Sequence, residues 1–81
     1  MATGTTKLIK SVTVSKPANN ANYLSSGLSP HNCIVLSAYE TANAVGANVT
    51  LGATNDSVFG YLFAANGTPY TSAATVTFYY I

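Results

Sequence analysis

Apolar and polar positions alternate with a period of two along most of this chain, and no stretch carries the 3.6-residue period of an amphipathic helix. The segment TKLIKSVTVSK, residues 6 to 16, places Leu8, Val12 and Val14 on one face. NVTLGA, residues 48 to 53, alternates cleanly through Val49, Leu51 and Ala53. Three further segments, 33–40, 57–65 and 73–81, are apolar at successive positions, so each offers a dry side chain to both sides of a strand. CIVLSAYE, at 33–40, reads as a central strand for that reason.

Turn chemistry separates these segments. PANNANYLSSGLSPHN, residues 17 to 32, is loop-like in its Pro, Asn, Ser and Gly, while Tyr23, Leu24 and Leu28 predict a short edge strand or a return onto the body. TANAVGAN, 41 to 48, reads as a connection, because Gly46 and two Asn outweigh its alanines. TNDS at 54–57 is a turn signal, and Asn66-Gly67 in NGTP predicts a tight hairpin between apolar runs. Gly60, inside a strand pattern, marks a bulge or a close backbone approach. Several short strands with turns between them predict an all-β fold: a small antiparallel β-sandwich or jelly-roll-like domain.

Composition sharpens the picture. Eighty-one residues make one small domain, and a chain of that size buries only roughly 60% of its unfolded surface. Disulfides within the chain are excluded by the single Cys33, which reads as a small buried apolar residue of a strand. One His, one Cys and two acids make no metal-ligand set, and no cofactor is implied. Charged residues are 6% of the chain against 48% hydrophobic, where soluble domains carry about 25% charged. With a net charge of +1 and no Arg, the chain has no footprint for nucleic acid. MATGTTKLIKSVTVSK lacks the apolar core of a secretion signal, and no run is long enough for a membrane helix.

The shortage of charge and the two-faced strands together predict that copies of the chain cover one another. The closing strand TVTFYYI supplies the expected contact residues: Phe78, Tyr79, Tyr80 and Ile81.

Candidate chemistry is sparse. His31, Cys33 and Asp56 could be assembled on paper as base, nucleophile and orienter, but no nucleophile elbow or family-type flank supports a triad. Glu40 and Asp56 as a glycosidase pair fare no better, and the chain is read as a non-enzyme. Asn48, Asn55 and Asn66 begin Asn-x-Ser/Thr triplets, which a chain this rich in Asn, Ser and Thr produces by chance. The six Tyr and three Phe are the notable feature. A phenol ring offers a stacking face and a hydroxyl, which suits a sugar. Inside strands, Tyr39, Tyr61, Tyr79 and Phe78 read as packing residues. Tyr70 after the NGTP turn and Tyr23 in the long polar loop are the better ligand candidates, with Asn66 and Asp56 as hydrogen-bonding neighbours.

KSVTVSKP near the start, NCIVLSAYET in the middle and VFGYLFAANGTPYTSAATVTFYYI at the end resemble the C-terminal, receptor-binding domains of tailed-phage tail fibres, of the type found in phages of Gram-positive gut bacteria. The closing Val76-Thr77-Phe78-Tyr79-Tyr80-Ile81 is similar to the strand on which such domains end. The likeness covers roughly residues 7 to 81 and rests on strand patterns, not on catalytic signatures. It implies a β-sandwich head at 7–81, trimeric about a fibre axis and preceded by a flexible linker at 1–6. It also implies folding in the host cytoplasm, a place at the fibre tip of the virion, and contact with a bacterial cell-surface glycan or envelope protein. The other reading is a purely structural virion piece, for trimerisation, the tail tip or capsid decoration, with no ligand of its own.

Overall fold

A computed structural model describes residues 8–41 and 47–81. The linker expected at 1–6, the first two residues of the expected first strand and the middle of the 41–48 connection lie outside the described residues. The described chain is all-β, with six strands: β1 (Lys10–Lys16), β2 (Tyr23–Ser25), β3 (Val35–Glu40), β4 (Asn48–Ala53), β5 (Val58–Phe63) and β6 (Ala74–Tyr80). They form two three-stranded antiparallel sheets, ordered β1-β6-β3 and β2-β5-β4. No helix among the described residues is long and apolar enough to cross a membrane.

The two sheets meet through alternate residues of their middle strands. Ala74, Val76 and Phe78 of β6 face Val58, Gly60 and Leu62 of β5, and all six are buried. Leu24 of β2 and Ala38 of β3 complete the buried cluster, with Val12, Val14, Val35, Val49, Leu28 and Tyr70 packed around it. Gly60 is the close approach that its place in the strand pattern suggested. A Cβ there would stand 3.1 Å from both Phe78 Cζ and Val49 Cγ1.

Two expectations need correction. β3 is an edge strand of its sheet, not a central one. Its long apolar run is explained by position: Cys33 and Ile34 precede the strand, and the register shift between Val35 and Ser37 leaves Leu36 as an extra residue, half exposed. Cys33 is therefore a half-buried residue of the lead-in, its N–H bonded to Ser29 O at 3.0 Å. The Asn-Gly turn does form, with Gly67 at φ 90° and Ala64 N–H bonded to Thr68 O. It closes the expected hairpin, with Phe63 bridging Pro69 antiparallel and Tyr70 N–H bonded to Leu62 O at 3.0 Å, after which the chain crosses to β6 in the other sheet. The TNDS turn makes the hairpin between β4 and β5, where Thr54 N–H bonds to Ser57 O at 2.9 Å.

The closing strand also differs from its two-faced reading. One side, Ala74, Val76 and Phe78, is core. The other side, Thr75, Thr77 and Tyr79, pairs with Ser15, Thr13 and Ser11 of β1, and Thr77 and Tyr79 also with Tyr39 and Ser37 of β3. Every one of these eight side chains bears a hydroxyl, and they bond to one another: Thr13 Oγ1 to Thr77 Oγ1 and Ser15 Oγ to Thr75 Oγ1, both at 2.9 Å. The outer face of this sheet is a hydroxyl ladder. Tyr39, 59% exposed, and Tyr79, 37% exposed, lie on the same face.

Candidate functional site

The outer face of the second sheet has the opposite character. Strand alternation sends Phe59, Tyr61 and Phe63 of β5 outward, because Val58, Gly60 and Leu62 are committed to the core. The register sets Tyr23 of β2 beside Tyr61, and Ser25 beside Phe59. On the other flank Asn48, Thr50 and Gly52 of β4 lie beside Phe63, Tyr61 and Phe59.

Three rings gather there. Tyr23 meets Phe59 edge-on at 5.9 Å between centroids and 69°, and meets Tyr61 at 5.8 Å and 43°. Phe59 and Tyr61 close the triangle at 6.3 Å and 40°. These separations lie in the range in which aromatic pairs attract through their quadrupoles. Gly52 makes room for the arrangement: a Cβ there would stand 2.6 Å from Tyr61 Cε1, so the ring of Tyr61 lies across bare backbone of β4. Phe59 and Tyr61 are half-buried by their neighbours, and Tyr23 is 47% exposed.

Polar groups on this face are neutral. Ser25 Oγ and Ser57 Oγ hydrogen-bond beside Phe59, and Thr50 and Asn48 border Tyr61 and Phe63. None of the eight outward residues of the sheet carries a charge. The arrangement can stack a planar or amphipathic neutral group and offer it hydroxyls at the rim. Its eight outward residues include no His, Cys, Asp, Glu or Lys.

Of the four residues expected at a ligand site, only Tyr23 lies on this face. Tyr70 packs against the core cluster, with its N–H bonded to Leu62 O at 3.0 Å. Asn66 spends its Oδ1 inside its own turn, accepting from Thr68 N–H at 3.1 Å and Thr68 Oγ1 at 2.8 Å. Asp56 is exposed in the β4–β5 turn. Asp56 and Asn66 flank opposite ends of β5, about 20 Å apart by the rise of a strand. The four are not brought together.

The residues expected to face sister chains are also dispersed. Phe78 is fully buried between the chain's own sheets, so it serves this core and not a neighbour's. Tyr80, half-buried, points to the core side, and Tyr79 to the hydroxyl face, edge-on to Tyr39 at 6.1 Å. Ile81 exchanges both backbone bonds with Ile34, each 3.0 Å. His31 and Cys33 share a hollow with Pro30, Asn32, Ile34 and Ile81, and neither Asp nor Glu lines it. Among the described residues no three of His, Cys, Asp and Glu cluster as metal ligands would.

Phe59 and Tyr61 were legible as one face of a strand but not as a site. The missing signal was Gly52, whose lack of a side chain lets Tyr61 lean over it. Searches of family models, of curated proteins and of solved structures found no match to this chain.

Proposed function

We propose that this chain is a non-enzymatic recognition module: the receptor-contacting tip domain of a phage tail fibre, which takes a neutral saccharide of the bacterial envelope on the aromatic face of β2, β5 and β4. The observation that carries this reading is the Tyr23–Phe59–Tyr61 triangle on a face without charge. A pyranose ring has one face of C–H groups and an equatorial belt of hydroxyls. The rings accept the first, and the tyrosine, serine and threonine hydroxyls bond the second. A face lacking Lys and Arg has no means of favouring an anionic polymer over a neutral one.

Stacking on an open face is weak for one site, and a fibre tip offsets this by presenting several copies to a repeating polymer. The resemblance implies three copies about the fibre axis, in a β-sandwich head at 7–81. Binding of the chain to immobilised neutral glycans, abolished by Tyr23→Ala and by Tyr61→Ala with the β-sheet circular dichroism unchanged, is the expected result. A second reading, a structural virion piece without a ligand, draws on the half-burial of Phe59 and Tyr61, which already satisfy one another. It predicts that no glycan binds and that the same substitutions leave host adsorption intact.

A further inference from the structure

At the TNDS-turn end of the aromatic face, Ser25 Oγ and Ser57 Oγ hydrogen-bond to each other. Ser25 is the cross-strand neighbour of Phe59, and Ser57 precedes Phe59 by two residues, so both hydroxyls border that ring on the outward side. Gly27 N–H also donates to Ser25 Oγ, at 3.1 Å. Among the described residues neither hydroxyl has a further partner.

The protons of the pair can therefore be counted. Two hydroxyls hold two, and the bond between them uses one, whichever oxygen donates it. If Ser57 donates, Ser25 accepts from Ser57 and from Gly27, and the O–H of Ser25 is left to point outward. If Ser25 donates, the O–H of Ser57 is the one left. Either order leaves one unspent donor beside the ring of Phe59. That donor is a strengthened one, because a hydroxyl that already accepts a hydrogen bond gives its own proton more readily.

A strengthened donor next to an aromatic ring selects a strong acceptor next to an apolar group. A sugar hydroxyl offers neither, being a weaker acceptor on a polar carbon. An acetamido group offers both, in a carbonyl oxygen and a methyl on the same planar unit. We infer that the Ser25–Ser57 pair and Phe59 determine the specificity of this face, and that its ligand is a neutral sugar bearing an N-acetyl group. The acetamido carbonyl accepts the free O–H of the pair, the methyl lies against Phe59, and the pyranose ring stacks over Tyr23 and Tyr61. The inference rests on the saccharide reading and narrows it to one class of sugar.

The test is titration calorimetry of the intact chain with matched neutral sugars: chitotriose against cellotriose, and N-acetylgalactosamine against galactose. The members of each pair differ in carrying acetamido or hydroxyl groups at the same carbons. The acetamido member is expected to bind about tenfold more tightly, the effect of one good hydrogen bond with its apolar contact. The double variant Ser25→Ala/Ser57→Ala is expected to bring the two members within about twofold, with the hydroxyl sugar bound as before and the β-sheet circular dichroism unchanged. Equal binding of both members by the unaltered chain overturns the inference and leaves the saccharide reading standing, and so does a preference that survives in the double variant. Failure of the chain to bind any of the four sugars, or any other neutral glycan, overturns both. The comparison on the unaltered chain decides even if the variant does not fold.

Discussion

Phe78 lies against the bare backbone of Gly60, its Cζ 3.1 Å from where a glycine-replacing Cβ would stand, and this contact joins the middle strands of the two sheets. Val49 Cγ1 closes on the same point from a second strand at the same distance. Phe78 is fully buried and has no free direction in which to yield. Gly60→Ala is therefore expected to destabilise the fold by about 1–3 kcal/mol, the usual cost of overpacking. Urea unfolding followed by circular dichroism measures it. An unchanged midpoint would mean that the sheets can slide apart at no cost.

Lys16 carries the second prediction. It is only 7% exposed, and its ammonium donates to Pro17 O at 2.8 Å, Ser72 O at 3.1 Å and Thr71 O at 3.3 Å. Three donors meet three carbonyls, which pins the crossing that feeds β6 to the end of β1. Lys16→Met keeps the aliphatic stem and removes the bonds, and a loss of about 2 kcal/mol is expected from charged hydrogen bonds of this kind. Lys10→Met, exposed at the other end of β1, is expected to change the unfolding midpoint little.

The hydroxyl ladder on the β1-β6-β3 face should behave as a coupled pair. Thr77→Val leaves Thr13 Oγ1 without its 2.9 Å partner. Thr13 is exposed, so water replaces part of the bond, and a cost of about 1 kcal/mol or less is expected. The double variant Thr13→Val/Thr77→Val is expected to cost less than the two single costs added, which a thermal double-mutant cycle reads directly.

These positions show where the sequence could be read and where it could not. Period-two alternation located the strands well: 48 to 53 matches β4, and Gly60 announced its own close contact. Alternation cannot say which sheet a strand joins. Asn66-Gly67 turned the chain as such dipeptides do, but β6 crossed to the opposite sheet. Counting apolar residues also overstated what had to be hidden. Thr and Tyr were weighed as dry at 75, 77 and 79, whereas register lines their hydroxyls up against Ser and Thr of β1. Tyr70 and Tyr23 looked alike as loop tyrosines, and only folding sent one to the core and the other to an open face.

Gly52 separates the geometry of the aromatic face from its composition. Gly52→Ala removes no ring, but its Cβ at 2.6 Å forces Tyr61 off β4. Stability is expected to stay within about 1 kcal/mol, because Tyr61 lies at the surface and an alanine in a strand relieves backbone entropy. Affinity for neutral glycans is expected to fall by about tenfold, as for a misplaced stacking group. Retained affinity would mean that Tyr61 contributes nothing to a stacking platform.

The most direct measurement is a titration of the intact chain with neutral oligosaccharides, followed by the NMR resonances of its tyrosine and phenylalanine rings. Saccharide stacking on the β2-β5-β4 face predicts saturable shifts of Tyr23, Phe59 and Tyr61, with Tyr39 and Tyr79 on the hydroxyl face unmoved. Saturable shifts confined to Tyr39 and Tyr79, or none on any ring while the chain holds the glycan, would contradict it.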